Sequence, residues 1–259
     1  MLIHQIRVAQ ALASALTEGG RGTTGTPYPK QPELALKLYE FEGSPFCRRV
    51  REVLTLLNLD YEVYPCPKNG QKYRPLVKQL GGKAQFPFLI DENTKTQLYE
   101  SQAIIHYLFK HYGKSGKTPA KYANYPNFPF VALTGTLVNG ARGIWINKKI
   151  INRPAPEKLL ELWGFEASPY TRVVRALLSE LELPFIFHNV AKERWQDQGL
   201  AKLRLKPGKY EALAGGKREQ VLKNVMGDNI QVPFLVDPNT GVQMFESKDI
   251  VDYLNATYG

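Results

Sequence analysis

Cysteine is scarce in this chain: Cys47 and Cys66 are the only two among 259 residues. Two thiols cannot build a disulfide framework, and their presence in an ordinary-sized protein points to a reducing, intracellular compartment. Long apolar runs are missing as well. None approaches the ~18 residues a membrane-spanning helix needs. The opening MLIHQIRVAQALASALTEGG has no extended apolar core before a small-residue cleavage site, so it is not read as a secretory signal. A transit peptide, removed or atypical, stays open. Zinc-finger spacing, an Arg/Gly-rich tail and an RNA-recognition aromatic motif are all absent. The formal net charge of +10 therefore points to an anionic small ligand or an acidic protein partner rather than to nucleic acid. No metal is expected. What remains is a globular composition, 43% hydrophobic and 22% charged.

Self-comparison organises the chain. LYEFEGSPFCRRVREVLTLLNL (38–59) lies over LWGFEASPYTRVVRALLSELEL (162–183) at an offset of 124. QFPFLIDENTKTQLYESQAIIHYLFKHYG (85–113) lies over QVPFLVDPNTGVQMFESKDIVDYLNATYG (231–259) at an offset of 146, with 15 of 29 positions identical. The chain reads as a duplication whose second copy carries 22 extra residues in its middle. ALASALTEGGRG (11–22) also resembles ALTGTLVNGARG (132–143), at an offset of 121. A short apolar helix, a Gly-Arg-Gly stop and a Pro-rich lead therefore precede each unit. The favoured expectation is that each leading helix packs against its own domain. Contact with a membrane surface is the alternative, and the helices' shortness and weak basicity count against it. The boundaries that follow are a leading segment over 1–35, domain 1 over 36–113, a linker with a short helix over 114–158, and domain 2 over 159–259. The insert falls at about 191–230.

Within one copy, Leu36 to Phe41 reads as a strand. Ser44-Pro45 opens a helix, serine as cap and proline at the first helical position. Val50, Val53, Leu54 and Leu57 then form one apolar face, matched by Val174, Leu177, Leu178 and Leu181. Tyr61 to Tyr64 reads as a strand and 71–80 as a helix. Pro87 to Ile90 and Gln97 to Tyr99 form a hairpin, and Ser101 caps a last helix through Tyr112. The order is βαβαββα. A helix links the first two strands, so they are expected parallel with a right-handed crossover. The last two are antiparallel.

Taken together, the strand, Ser-Pro-Phe-Cys-Arg at a helix start, Phe-Pro-Phe-Leu, and Tyr-Glu-Ser at another helix start resemble the amino-terminal domain of glutathione transferases and glutaredoxins. The resemblance covers 36–113 and 159–259 and looks like the tandem type found in cyanobacteria and chloroplasts. It implies an α/β fold class: two thioredoxin-like domains in tandem, with no all-helical transferase C-terminal domain. It implies glutathione as the bound substrate or ligand, and a soluble protein of the cytoplasm, or of the plastid stroma in a photosynthetic eukaryote. Residue by residue, Glu100-Ser101 and Glu246-Ser247 would hold the γ-glutamyl end. Glutamate takes the ammonium and the helix N-terminus takes the carboxylate. Ser101 as a simple helix cap is the plainer reading. Pro87 and Pro233 would follow cis bonds, and the backbones of Phe86 and Val232 would pair with the cysteinyl part of the ligand. Ser44 and Ser168 would stabilise the glutathione thiolate. Dithiol glutaredoxins carry their nucleophilic cysteine at that position, so its absence here weakens the case for disulfide reduction. Cys47 sits one turn in. It reads either as a thiol activated by the helix N-terminus and Arg48/Arg49 or as a small core residue, and Thr171 replaces it in copy two.

Arg48, Arg51, Arg172 and Arg175 recur between the copies. They read first as a solvated face, with the glycyl carboxylate of the ligand, an acidic partner or pairing with local acids as alternatives. The basic insert 192–220, with Trp195 and Tyr210, is the candidate partner-binding excursion. Two functions are carried forward. One is a glutathione-dependent transferase or thiol-handling enzyme. The other is a non-catalytic sensing or scaffold module.

Overall fold

The computed structural model describes residues 1–123, 128–150, 152–198, 210–227 and 229–259. Helix α1 (Leu2–Thr17) comes first. The first half follows with β1 (Leu36–Glu40), α2 (Pro45–Leu56), β2 (Tyr61–Pro65), α3 (Tyr73–Gly81), β3 (Phe88–Asp91), β4 (Thr96–Tyr99) and α4 (Ser101–Tyr112). Short α5 (Ala120–Ala123) and α6 (Phe128–Val138) lead to the second half. It contains β5 (Leu160–Gly164), α7 (Pro169–Glu180), β6 (Phe185–Asn189), α8 (Lys217–Val221), β7 (Phe234–Asp237), β8 (Val242–Phe245) and α9 (Ser247–Tyr258). The order anticipated from the sequence therefore appears in each half. A wider π-helical turn, Leu222–Met226, extends α8.

In each half the crossover strands are parallel and the hairpin is antiparallel. The last helix is tied to its hairpin turn by one carboxylate. Asp91 accepts from Tyr107 and Tyr112, and Asp237 from Tyr253 and Tyr258. The two halves are also one sheet. Strands run β4-β3-β1-β2-β6-β5-β7-β8, closed at the centre by an antiparallel β2–β6 pair. Its register sets Tyr61 against Phe187 and Val63 against Phe185, with Glu62–Ile186 between them. Tyr61 and Phe185 hold equivalent places in the copies, as do Val63 and Phe187. The halves are thus related by a pseudo-twofold axis through that pair. The apolar faces of α2 and α7, Val50 to Leu57 and Val174 to Leu181, lie buried in one continuous core. This burial, not local propensity, fixes the two helices against the sheet.

Two expectations are corrected here. The leading helices do not pack on their own domains. α1 lies on α7 of the second half, α6 on α2 of the first, and the two helices cross each other. Glycines make the exchange possible. Gly20 and Gly22 turn the chain after α1 with φ of 65° and 75°, and Gly22 passes so close to Glu166 that a Cβ there would lie 2.5 Å from its Cβ. Gly143 does the same beside Glu42.

The four arginines are not a solvated face either. Arg48, Arg51, Arg172 and Arg175 are 1–4% exposed and pair with Glu18, Glu40, Glu42, Glu52 and Glu166, some within one half and others across the seam. Arg51 reaches Glu166 at 2.9 Å and Arg175 reaches Glu166 at 2.6 Å. Recurrence at helical spacing is equally compatible with a wet face and with a paired interface. What decides between them is the partner acids, and several of these come from the other half.

Candidate functional site

Three elements of each half converge at the carboxyl ends of the parallel strands. They are the first turn of α2 or α7, the loop before β3 or β7, and the start of α4 or α9.

At the first, Ser44 and Ser168 cap their helices. Each side chain accepts the amide of the residue three further on, Cys47 or Thr171, at 3.3 Å, and proline fills the next position. Ser168 also accepts from the Thr171 hydroxyl at 2.9 Å. Both serines are buried, whereas the neighbouring Phe46 and Tyr170 stand exposed beside them. Cys47 is fully buried. Burial pushes its thiol up to about 12, with Glu40 adding and Ser44 opposing. That environment belongs to a neutral core thiol: Ser44, Arg51 and a Phe41 backbone hydrogen bond favour the thiolate, but burial outweighs them. Cys66 is equally buried.

At the second, the Phe86-Pro87 and Val232-Pro233 bonds are both cis. The Phe86 ring lies between Phe41, edge-on at 6.3 Å, and the Arg74 guanidinium at 4.7 Å.

At the third, Glu100 and Glu246 both adopt φ 65°, a left-handed conformation uncommon for a residue with a side chain. Each glutamate accepts from a glutamine two residues before the cis-proline, Gln85 or Gln231, the latter at 2.6 Å. Ser101 and Ser247 follow as the first helical residues, buried at 6% and 3%. Neither is the helix cap. The cap position belongs to the glutamate, and no described side chain satisfies the first-turn amides of either helix. The Ser247 hydroxyl instead meets His4 Nε2 at 3.0 Å, so α1 touches the second half's site directly. Burial lowers the His4 pKa, and Lys248 and Arg7 lower it further.

Ser, cis-proline and Glu-Ser are thus brought together in both halves, while Cys47 is set apart in the core. Two pairs went unassigned from sequence. Gln85 and Gln231 opened the aligned blocks, and a polar pair fixed two residues before each proline was their signal. Arg74 and Arg218 are the second pair. Arg74 donates to the carbonyls of Cys66 and Pro67, and Arg218 to those of Val190 and Ala191. These are equivalent loops, but Arg218 falls within the second copy's insert, where the offset changes from 124 to 146, and neither offset pairs it with Arg74. Of the insert, 199–209 lies outside the described residues. Trp195 is exposed in a short 3-10 turn, and Tyr210 accepts from Arg218 Nε at 2.6 Å. Among the described residues no group of three or more His, Cys, Asp or Glu could hold a metal ion, and no helix is long and apolar enough to cross a membrane.

Comparison with known proteins agrees with this architecture. The family described as glutathione S-transferase, N-terminal domain, matches residues 38–117 and 162–259, and the chain belongs to it. Among curated proteins, the glutathione S-transferase-like protein OpS6 of Beauveria bassiana (strain ARSEF 2860) is 34% identical over 82 residues. That stretch is 32% of this chain and 37% of the relative, so the chain matches little more than a third of that protein's length.

Proposed function

We propose that each half binds one glutathione, and that the protein is a glutathione-dependent transferase-like or thiol-handling protein. The observation that carries this reading is the twice-built start of α4 and α9. A strained glutamate, a buried serine and uncapped helix amides occur together at both places. Amides pointing out of a helix N-terminus suit a carboxylate, and an adjacent carboxylate suits an ammonium. The γ-glutamyl group presents both. A non-glycine residue held at positive φ costs about 1–3 kcal/mol, which fits a position kept for a ligand. Glu100 or Glu246 would take the ammonium, and the amides with Ser101 or Ser247 the carboxylate. The backbones of Phe86 and Val232 would pair with the cysteinyl unit. Ser44 and Ser168, each accepting from an amide, retain a hydroxyl proton to donate to the ligand sulfur. Cys47 has no part in this chemistry.

One observation favours a second reading, a sensing or scaffold module. Both serines are almost wholly buried and already serve as helix caps. The insert around Trp195 would then receive an acidic protein partner. The experiment that separates the two is the thiol titration of bound glutathione, followed by thiolate absorbance. A bound thiol titrating at least one pH unit below free glutathione, restored toward the free value in Ser44→Ala/Ser168→Ala, supports the enzyme. Binding with no such shift refutes thiolate stabilisation and leaves the module.

A further inference from the structure

The sites described above lie at the strand ends and, apart from the His4–Ser247 contact, leave the leading helices with a packing role. Their outer side has a composition of its own. α1 and α6 cross where Ser14 Oγ donates to Gly135 O at 2.8 Å. A Cβ on Gly135 would fall 2.0 Å from Glu18 Oε1, so a larger residue there would have to displace the Glu18 side chain. Ser14 and Gly135 hold the same place in the two leaders. So do Leu12 and Leu133, and Leu16 and Leu137, and the pseudo-twofold axis arranges these four leucines around the crossing. They are 37%, 54%, 69% and 64% exposed. Leu2, Ile3 and Ile6 continue the surface along α1, also exposed. With Met1, eight of the sixteen large apolar side chains exposed among the described residues sit on these two helices. Scattered singly such residues need no explanation, but concentrated on one layer they mark an interaction surface.

We infer that this layer docks on a lipid bilayer carrying anionic headgroups. The charge around it selects that partner. The stretches that form the two helices, 2–17 and 128–138, contain Arg7 and no Asp or Glu. Arg7 and Arg142 lie near each other at the edge of α1, close enough that Arg7 lowers the Arg142 pKa, after burial. The acids that reach this layer are engaged elsewhere. Glu18 is buried against Arg48, Glu180 accepts the Gly143 amide, and Asp252 pairs with Lys248. A second copy seated here would set base against base on chains of net charge +10. An anionic bilayer offers the opposite charge, and the exposed leucines and isoleucines suit burial ~5–10 Å into the headgroup boundary. The chain would lie on the surface without crossing it.

The test is flotation of the full chain with vesicles of phosphatidylcholine alone and of phosphatidylcholine mixed with phosphatidylglycerol. Partition onto the mixed vesicles, weakening as salt rises, is expected. Leu16→Glu/Leu137→Glu should reduce that partition roughly tenfold or more, while Leu80→Glu, an exposed leucine on α3, leaves it unchanged. Ile6→Glu serves as a second probe should the double variant melt differently from wild type. Absence of partition at low salt overturns the inference, as does equal partition of the Leu16, Ile6 and Leu80 variants. A dimer seen by sedimentation that Leu16→Glu/Leu137→Glu abolishes, with no vesicle binding, assigns the face to a second copy and likewise overturns it.

Discussion

Arg51→Met probes the seam between the halves. Arg51 is 1% exposed, bonds to Glu40, reaches Glu166 at 2.9 Å and donates to Glu42 O at 3.1 Å. Methionine keeps most of the stem and removes the charge. Glu40 then loses its partner, while Glu166 keeps Arg175 at 2.6 Å. Breaking a buried pair by removing one partner costs about 3–5 kcal/mol, because the other charge stays desolvated. Each kcal/mol shifts the melting temperature of a chain of this size by about 2–4 °C, so a fall of about 6–20 °C follows. Calorimetry or circular dichroism reads it. Lys37→Met, which loses only the exposed pair with Glu92 at 3.4 Å, is the control and should move the midpoint by about 2 °C or less. Arg51→Met/Glu40→Met should recover much of the loss, since neither charge is then left unpaired. If Arg51→Met melts with the control, the cluster does not hold the halves together and the reasoning fails.

Two further outcomes follow. Cys47 and Cys66 should resist Ellman's reagent at pH 8 in the folded protein and react at once in guanidinium, because both are buried and burial raises both thiols. Fast labelling of native Cys47 would contradict its core placement. The Glu40 carboxyl is pushed up to about 7 by burial, with Arg51 opposing. The unfolded chain releases this proton near its ordinary 4.5, so between about 4.5 and 7 the folded state binds more protons. The stability this group contributes is full below that window and lost as pH rises through it. Glu166 works oppositely: burial alone would raise it, but Arg175, Arg51, Arg48 and Arg172 hold it well below the usual range. Its contribution is lost only in strong acid. Urea midpoints at pH 5 and pH 7.5 should therefore converge in Glu40→Gln relative to wild type. An unchanged difference would show that Glu40 is not the group responsible.

The elements of each half were legible because local signals agree with tertiary burial. Ser-Pro caps a helix whose apolar residues recur at i, i+3, i+4 and i+7, and that face meets the sheet. The exchange of α1 and α6 was not legible. An apolar stripe says that a helix is covered but not by which neighbour, and here the choice is made by glycines packed against Glu166 and Glu42. For the same reason Arg48 and Arg51 looked solvated: Glu166, which pairs with both, lies far away in sequence. The Glu-Ser pair was visible as a motif. That Ser101 and Ser247 are not the caps, and that both glutamates sit at φ 65°, is a property of the backbone which no residue type announces. Gln85 and Gln231 were in plain view, but a bond to Glu100 or Glu246 appears only once the cis-proline loop folds back on the helix start.

The account rests on two glutathione sites per chain, and calorimetric titration of glutathione tests it most directly. Wild type should bind two equivalents, Ser101→Ala and Ser247→Ala one each with full affinity, and the double variant none. No heat from the wild type, or an unchanged isotherm in the double variant, would contradict it.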